Sequence, residues 1–352
     1  QGKISATVKM EIPALPQERI KDIWPAVLHG EPIEEWLLER LTKGSIDNIH
    51  AAFTIDAAKS GESWTTDVTG IPSEFDVSGM RVDYRAPLMP AENTFGHGVF
   101  ANDVLKIAID SATVGDMSVT GGEVSIDNIS SDEVGNAKIS VVLKAALPSL
   151  FKFIESEPIG MKGEKLGLDT KNVKGDAALD VEVSFPTLRD LPKDEVKVKA
   201  VGTLNNVLLP DVVNTLDLTG GPMKLTVAEG KALLSGDGKL DGRPVKIDWE
   251  QFLESDGKPY DSKIKAQLDA DRDLRGKLNI GLDDWLEGTV PVKVDYTEYQ
   301  GGRGEVRVEG NLKPATVKVM PFEYSKPPGV DGVVTCTAIL QKGAVQEIKD
   351  LN

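Results

Sequence analysis

The chain has 352 residues, 40% hydrophobic and 27% charged, which is enough apolar material for a sizeable core and, by length, for two domains. Its 56 acidic against 40 basic residues leave a formal charge of −16, which disfavours nucleic acid and anionic membrane surfaces as partners. Aromatics make up only 5%, a balance that suits extended β-structure rich in Val, Ile, Leu and Gly.

In chain order, Ile4, Ala6, Val8 and Met10 alternate with polar residues and predict a strand. Gln17 to Ile23 predicts a short helix closed by Pro25. Pro32 then supplies a helical first turn; Ile33, Trp36, Leu37 and Leu41 follow at helical spacing, with Gly44 at the left-handed C-terminal position. Trp24, Trp36 and Leu37 are therefore assigned to a helical cap over one end of a sheet. From Ser45 the period returns to two through "IHAAFTIDA", "FDVSGMRVDYRAP", "DVLKIAIDSA", "GGEVSIDNIS" and "AKISVVLKAAL".

"PSLFKFIESEP" breaks this run with a short amphipathic helix, Leu150, Phe151 and Ile154 marking its apolar side. It sets the expected boundary between a first β module with its helical cap, residues 1–146, and a second β module, residues 147–352. One continuous sheet through both is the alternative. The second half reads as strands in "KGDAALDVEVSFP", "DEVKVKAVGTL", "GPMKLTVAEGKALLSGDGKL", "RPVKIDWEQF", "DSKIKAQLDA", "RGKLNIGL", "EGTVPVKVDYTEY" and "RGEVRVEGNL". "DGVVTCTAIL" is expected to end the pattern. Many alternating strands and two or three short helices define a mainly β, antiparallel chain. What covers its apolar faces is left open among a second sheet, closure into a barrel, and a ligand with acyl chains.

Signals of chemistry are weak. Asp269, Asp271 and Asp273 alternate like the start of a calcium loop, but Leu274 and Ile280 occupy the positions that need Gly and Glu, so a polar turn is expected. "QGGRGEV" precedes a strand and reads as a hairpin turn, and "IGMKGEKLG" as a loop. His29, His50 and His97 have no partner at metal or triad spacing, so no catalytic residue, metal ligand or cofactor is assigned. Cys336 reads as a small packing residue. No signal peptide and no run of about 18 apolar residues is present, and the opening inside a strand reads as a piece of a longer protein.

Several stretches in order, "IKDIWPAVLHGEPIEEWLLERLTKGSI", "MRVDYRAPLMPAENTFGHGVFANDVLKIAI", "GGEVSI", "GKLNIGLDDWLEGTVPVKVDY" and "MPFEYSKPPGVDGVVTCTAIL", resemble the AsmA-like domain of large bacterial envelope proteins, the AsmA/YhdP/TamB superfamily. The resemblance spans nearly the whole chain. It implies a long, curved antiparallel sheet, a U-shaped groove or open half-barrel with an apolar concave face, and a part in moving phospholipid between inner and outer membranes without chemistry. It further implies a periplasmic location, an inner-membrane anchor in a segment outside this chain, and envelope protein partners. On that reading the groove candidates are Val181, Val183, Ile264, Ala266, Leu268, Val290, Val292 and Val294, with a phospholipid or other acyl-chain lipid as partner. The rival expectation is a non-catalytic scaffold module whose β core is closed by protein; an enzyme comes last.

Overall fold

The period-two segments become a succession of antiparallel neighbours. The computed structural model describes residues 3–23, 36–60, 63–129, 133–188, 190–254, 256–319 and 324–352. Seventeen strands belong to one antiparallel sheet and three short ones to a second. The chain is thus mainly β, with an open sheet and few short helices, as the alternation predicts. It divides into two compact units, residues 1–160 with 178–199 and residues 161–177 with 200–352.

In the first unit β1 (Lys3–Pro16), β2 (Leu41–Ser60), β3 (Ser63–Val82), β4 (Ala91–Ala101), β5 (Val104–Val114), β6 (Met117–Ile126) and β7 (Asn136–Ala146) pair in sequence order. A 3-10 turn, Gln17–Arg19, and α1 (Ile20–Ile23) follow β1, as the sequence predicts. The helix expected through Leu41 is different. A π-helical turn, Trp36–Arg40, leads straight into β2, and Leu41 is a strand residue. Gly44 does take a positive φ, +87°, but at a bulge within β2, where a β-carbon would stand 2.6 Å from Ser78 O. Helix α2 (Leu147–Glu155) falls on the segment that breaks the alternation.

β8 (Lys174–Pro186) and β9 (Lys197–Val213) each contribute residues to both units. The second unit continues with β10 (Leu216–Ala228), β11 (Lys231–Leu240), β12 (Arg243–Phe252) and β13 (Ser262–Ala270). The stretch expected as a strand over "RGKLNIGL" is instead α3 (Arg272–Lys277) and the turn after it. Asp271 caps the helix by accepting a hydrogen bond from Leu274 N at 2.8 Å, so a local cap outweighs weak alternation. β14 (Leu286–Glu287), β17 (Thr316–Val319) and β18 (Tyr324–Lys326) form the small sheet. The main sheet resumes with β15 (Val290–Tyr299), β16 (Arg303–Asn311) and β19 (Val333–Gln341). It continues past the expected end into β20 (Ala344–Lys349), which pairs only with β19 among the described residues.

Candidate functional site

Because side chains alternate across a strand, the registers define which residues share a face. In the second unit one row runs Met223, Gly236, Ile247, Ala266, Val294, Val308, Cys336 from β10 to β19. A parallel row runs Leu234, Trp249, Ile264, Tyr296, Val306, Ala338, Ile348. The opposite face carries exposed Lys263, Lys265, Gln267, Lys293, Asp295 and Glu309, with Lys293 and Glu309 paired at 3.2 Å.

The apolar face is lined but only partly covered. Met223 is fully buried, Ile247, Ile264, Val294, Val308 and Cys336 are half-buried, and Val345 and Ile348 on β20 are 58% and 62% exposed. Full burial of an aliphatic side chain stabilises by about 1.5–3 kcal/mol, so each half-buried position leaves at most about 1 kcal/mol unrealised. The partial exposure extends over the interior strands β12, β13, β15 and β16 as well as the outermost strand β20.

The first unit has the same construction. Phe75, Gly98, Ile107, Val124 and Ile139 form one row; Val77, Gly96, Ile109, Gly122 and Val141 form the next. The Phe75 ring lies across Gly98, filling the space where a β-carbon would be. On β1, Ile4 is 59% exposed. Cover comes at one end, where Leu150 and Phe153 of α2 pack on Val114, Met117 and Ala145.

In the second unit the corresponding cover is an insert made of α3 and the small sheet. Two buried cations order it, Arg275 by joining it to the end of β13 and Lys326 by holding its own segments together. Arg275 donates from Nη1 to Ala270 O and Gly288 O, both at 2.9 Å, and Lys326 Nζ donates to Ala315 O, Pro327 O and Val330 O at 2.9, 3.2 and 3.0 Å. Backbone carbonyls meet the hydrogen-bonding needs that burial imposes on Lys326. Of the alternating aspartates, Asp271 and Asp273 are structural partners here: Arg243 pairs with both, and with Asp241, at 2.7–2.8 Å.

The residues singled out from the sequence fall as follows. Leu268 faces Val292, Ala266 faces Val294, and Ile264 joins them on the half-buried face. Val290 shares their parity but is 3% exposed, at the end closed by the insert. Val181 and Val183 are half-buried on the part of β8 that belongs to the first unit, so they are not members of that cluster. Trp24 lies outside the described residues, and Trp36 and Leu37 begin the π-helical turn. Sequence reasoning passed over Val306, Val308 and Cys336, whose alternation carried the same signal; only the register joins them to the cluster. Burial pushes the Cys336 thiol above its ordinary pKa.

Polar chemistry elsewhere is sparse. His97 Nδ1 and Asp76 Oδ1 are 2.9 Å apart on the exposed polar face, and hydrogen bonds from Asn48 and then His97 hold the Asp76 carboxyl below its ordinary range. Among the described residues no group of three or more His, Cys, Asp or Glu could hold a metal ion. No helix among them is long and apolar enough to cross a membrane.

These features define a class: an open antiparallel β-sheet protein with one apolar, incompletely covered face in each unit. A family model described as YhdP protein matches residues 5–347, and the chain belongs to that family, within the AsmA/YhdP/TamB superfamily of the bacterial envelope. No curated protein and no solved structure matches the chain.

Proposed function

We propose that this chain is a lipid-holding segment of an envelope lipid-transport protein, in which the apolar face of a unit seats the acyl chains of a phospholipid in passage between inner and outer membranes. Family membership supports a role in envelope lipid transport. The observation that carries the finer reading is the half-buried apolar face spanning β12 to β19 in the second unit. A surface that binds by area holds a chain without arresting it, and sliding a lipid requires no bond to break. The reading places the segment in the periplasm, anchored to the inner membrane through sequence outside this chain, and assigns it no catalytic residue.

The chain carries its own probe, because its one cysteine lies on this face. Maleimide labelling of Cys336 should slow at least several-fold when the protein is loaded with dioleoyl phospholipid and recover when the lipid is extracted. A photo-crosslinker at Val292 should capture phospholipid in cells. A folded protein whose Cys336 labels equally fast with and without lipid, and whose Val292 crosslinker captures none, would sink the reading in favour of a scaffold module.

A further inference from the structure

One row of the second unit's apolar face departs from the pattern. At the end remote from the insert, Gln251 of β12, Ser262 of β13, Glu298 of β15 and Gly304 of β16 are successive register partners. Gln251 and Ser262 are buried, and Glu298 is half-buried. Two aromatics on the adjacent row turn polar handles toward it. Trp249 donates Nε1 to Ser262 Oγ at 2.9 Å. Tyr296 lies over Gly304, where a β-carbon would be 2.9 Å from Cε2 and 3.2 Å from the hydroxyl, so the hydroxyl stands on the strand position that faces Glu298.

The other polar groups of this row are satisfied within the protein; these two are not. Ser262 and Gln251 make hydrogen bonds to the indole or to backbone carbonyls. Among the described residues no hydrogen bond or ion pair engages the Glu298 carboxyl or the Tyr296 hydroxyl, and the charged group that bears on each is an acid, Asp261 on Glu298 and Glu298 on Tyr296. Burial, and then the negative charge of Asp261, push the Glu298 carboxyl above its ordinary range, while burial and then Glu298 do the same for Tyr296. A carboxylate held at the edge of an apolar surface beside a like charge is costly until a cation meets it. An amphipathic ligand on this face would change from tail to headgroup at this row.

We propose that this row is the headgroup end of the lipid site, and that Glu298 and Tyr296 select a zwitterionic phospholipid ending in a primary ammonium. Glu298 accepts hydrogen bonds from the ammonium and the Tyr296 hydroxyl donates to the phosphate, while the tails run over Ile264, Val294 and Val308. An anionic glycerol headgroup would bring a second negative charge to Glu298 instead. The proposal rests on the lipid-holding reading above and adds a selectivity to it.

The test offers the full chain equimolar dioleoyl phosphatidylethanolamine and dioleoyl phosphatidylglycerol in mixed vesicles and counts retained lipids by native mass spectrometry. A charge-assisted contact predicts about tenfold enrichment of the ethanolamine lipid in the wild type. Glu298→Gln should bring the ratio to within about twofold of one, and Glu298→Lys should invert it, with circular dichroism showing both variants folded. Retention at the input ratio by the wild type, or enrichment unchanged in Glu298→Gln, overturns the headgroup assignment and leaves the lipid-holding reading intact. Retention of neither lipid, with Cys336 labelling unaffected by both, overturns the two together.

Discussion

Replacing Lys326 by methionine isolates what holds the insert of the second unit together. The ammonium has three protons and donates to three carbonyls, those of Ala315, Pro327 and Val330, and the residue is 6% exposed. Methionine keeps much of the stem's volume and leaves the three acceptors without that donor. A hydrogen bond to a charged group contributes about 1.5–3 kcal/mol, and relief of the buried ammonium's desolvation offsets part of the loss. The net cost should be about 3 kcal/mol. Because the three acceptors all lie in the insert, the loss should be local. Amide exchange over Ala315–Val319 and Tyr324–Asp331 should accelerate roughly a hundredfold, the factor equivalent to that free energy, while β10 to β12 stay protected. Exchange changed by less than about threefold would show that apolar contacts around the fully buried Ala315 hold the insert and that the lysine is incidental.

Two further outcomes follow from the same geometry. Truncation to alanine should trace the burial gradient: about 2–5 kcal/mol at fully buried Met223, about 1 kcal/mol at half-buried Val294, and less than about 0.5 kcal/mol at exposed Ile348, measured by urea unfolding; equal costs at all three would mean that the face is uniformly packed. The Asp271 carboxyl is held below its ordinary value of 3.8 by hydrogen bonds from Arg243 and then Leu274 N, so its charged form stabilises the fold fully above about pH 4, and that contribution is lost as pH falls through the depressed folded value. Asp271→Asn should therefore flatten the acid side of the stability–pH curve, and an unchanged acid slope would refute the assignment.

How much of this was legible in the sequence depends on the range of the interaction concerned. Alternation is a property of successive residues, so β8, β12 and β13 appear almost residue for residue in "KGDAALDVEVSFP", "RPVKIDWEQF" and "DSKIKAQLDA". The same local rule separates Val292 and Val294 from Lys293 and Asp295, and α2 is readable from its proline and apolar spacing. It fails where a single contact outweighs the pattern, as where the Asp271 cap makes α3 out of a segment that weakly alternates.

What the chain determined by itself was the kind of element and the two chemically unlike faces, since both depend on neighbours one or two residues apart. Only the tertiary structure decided which faces join. The pairing of β16 with β19 across the insert brings Cys336 beside Val308, and the burial of Lys326 depends on carbonyls that a local pattern does not locate. The polar row likewise exists only by register: Gln251, Ser262 and Glu298 are scattered along the chain and meet because hydrogen-bonded ladders align three strands.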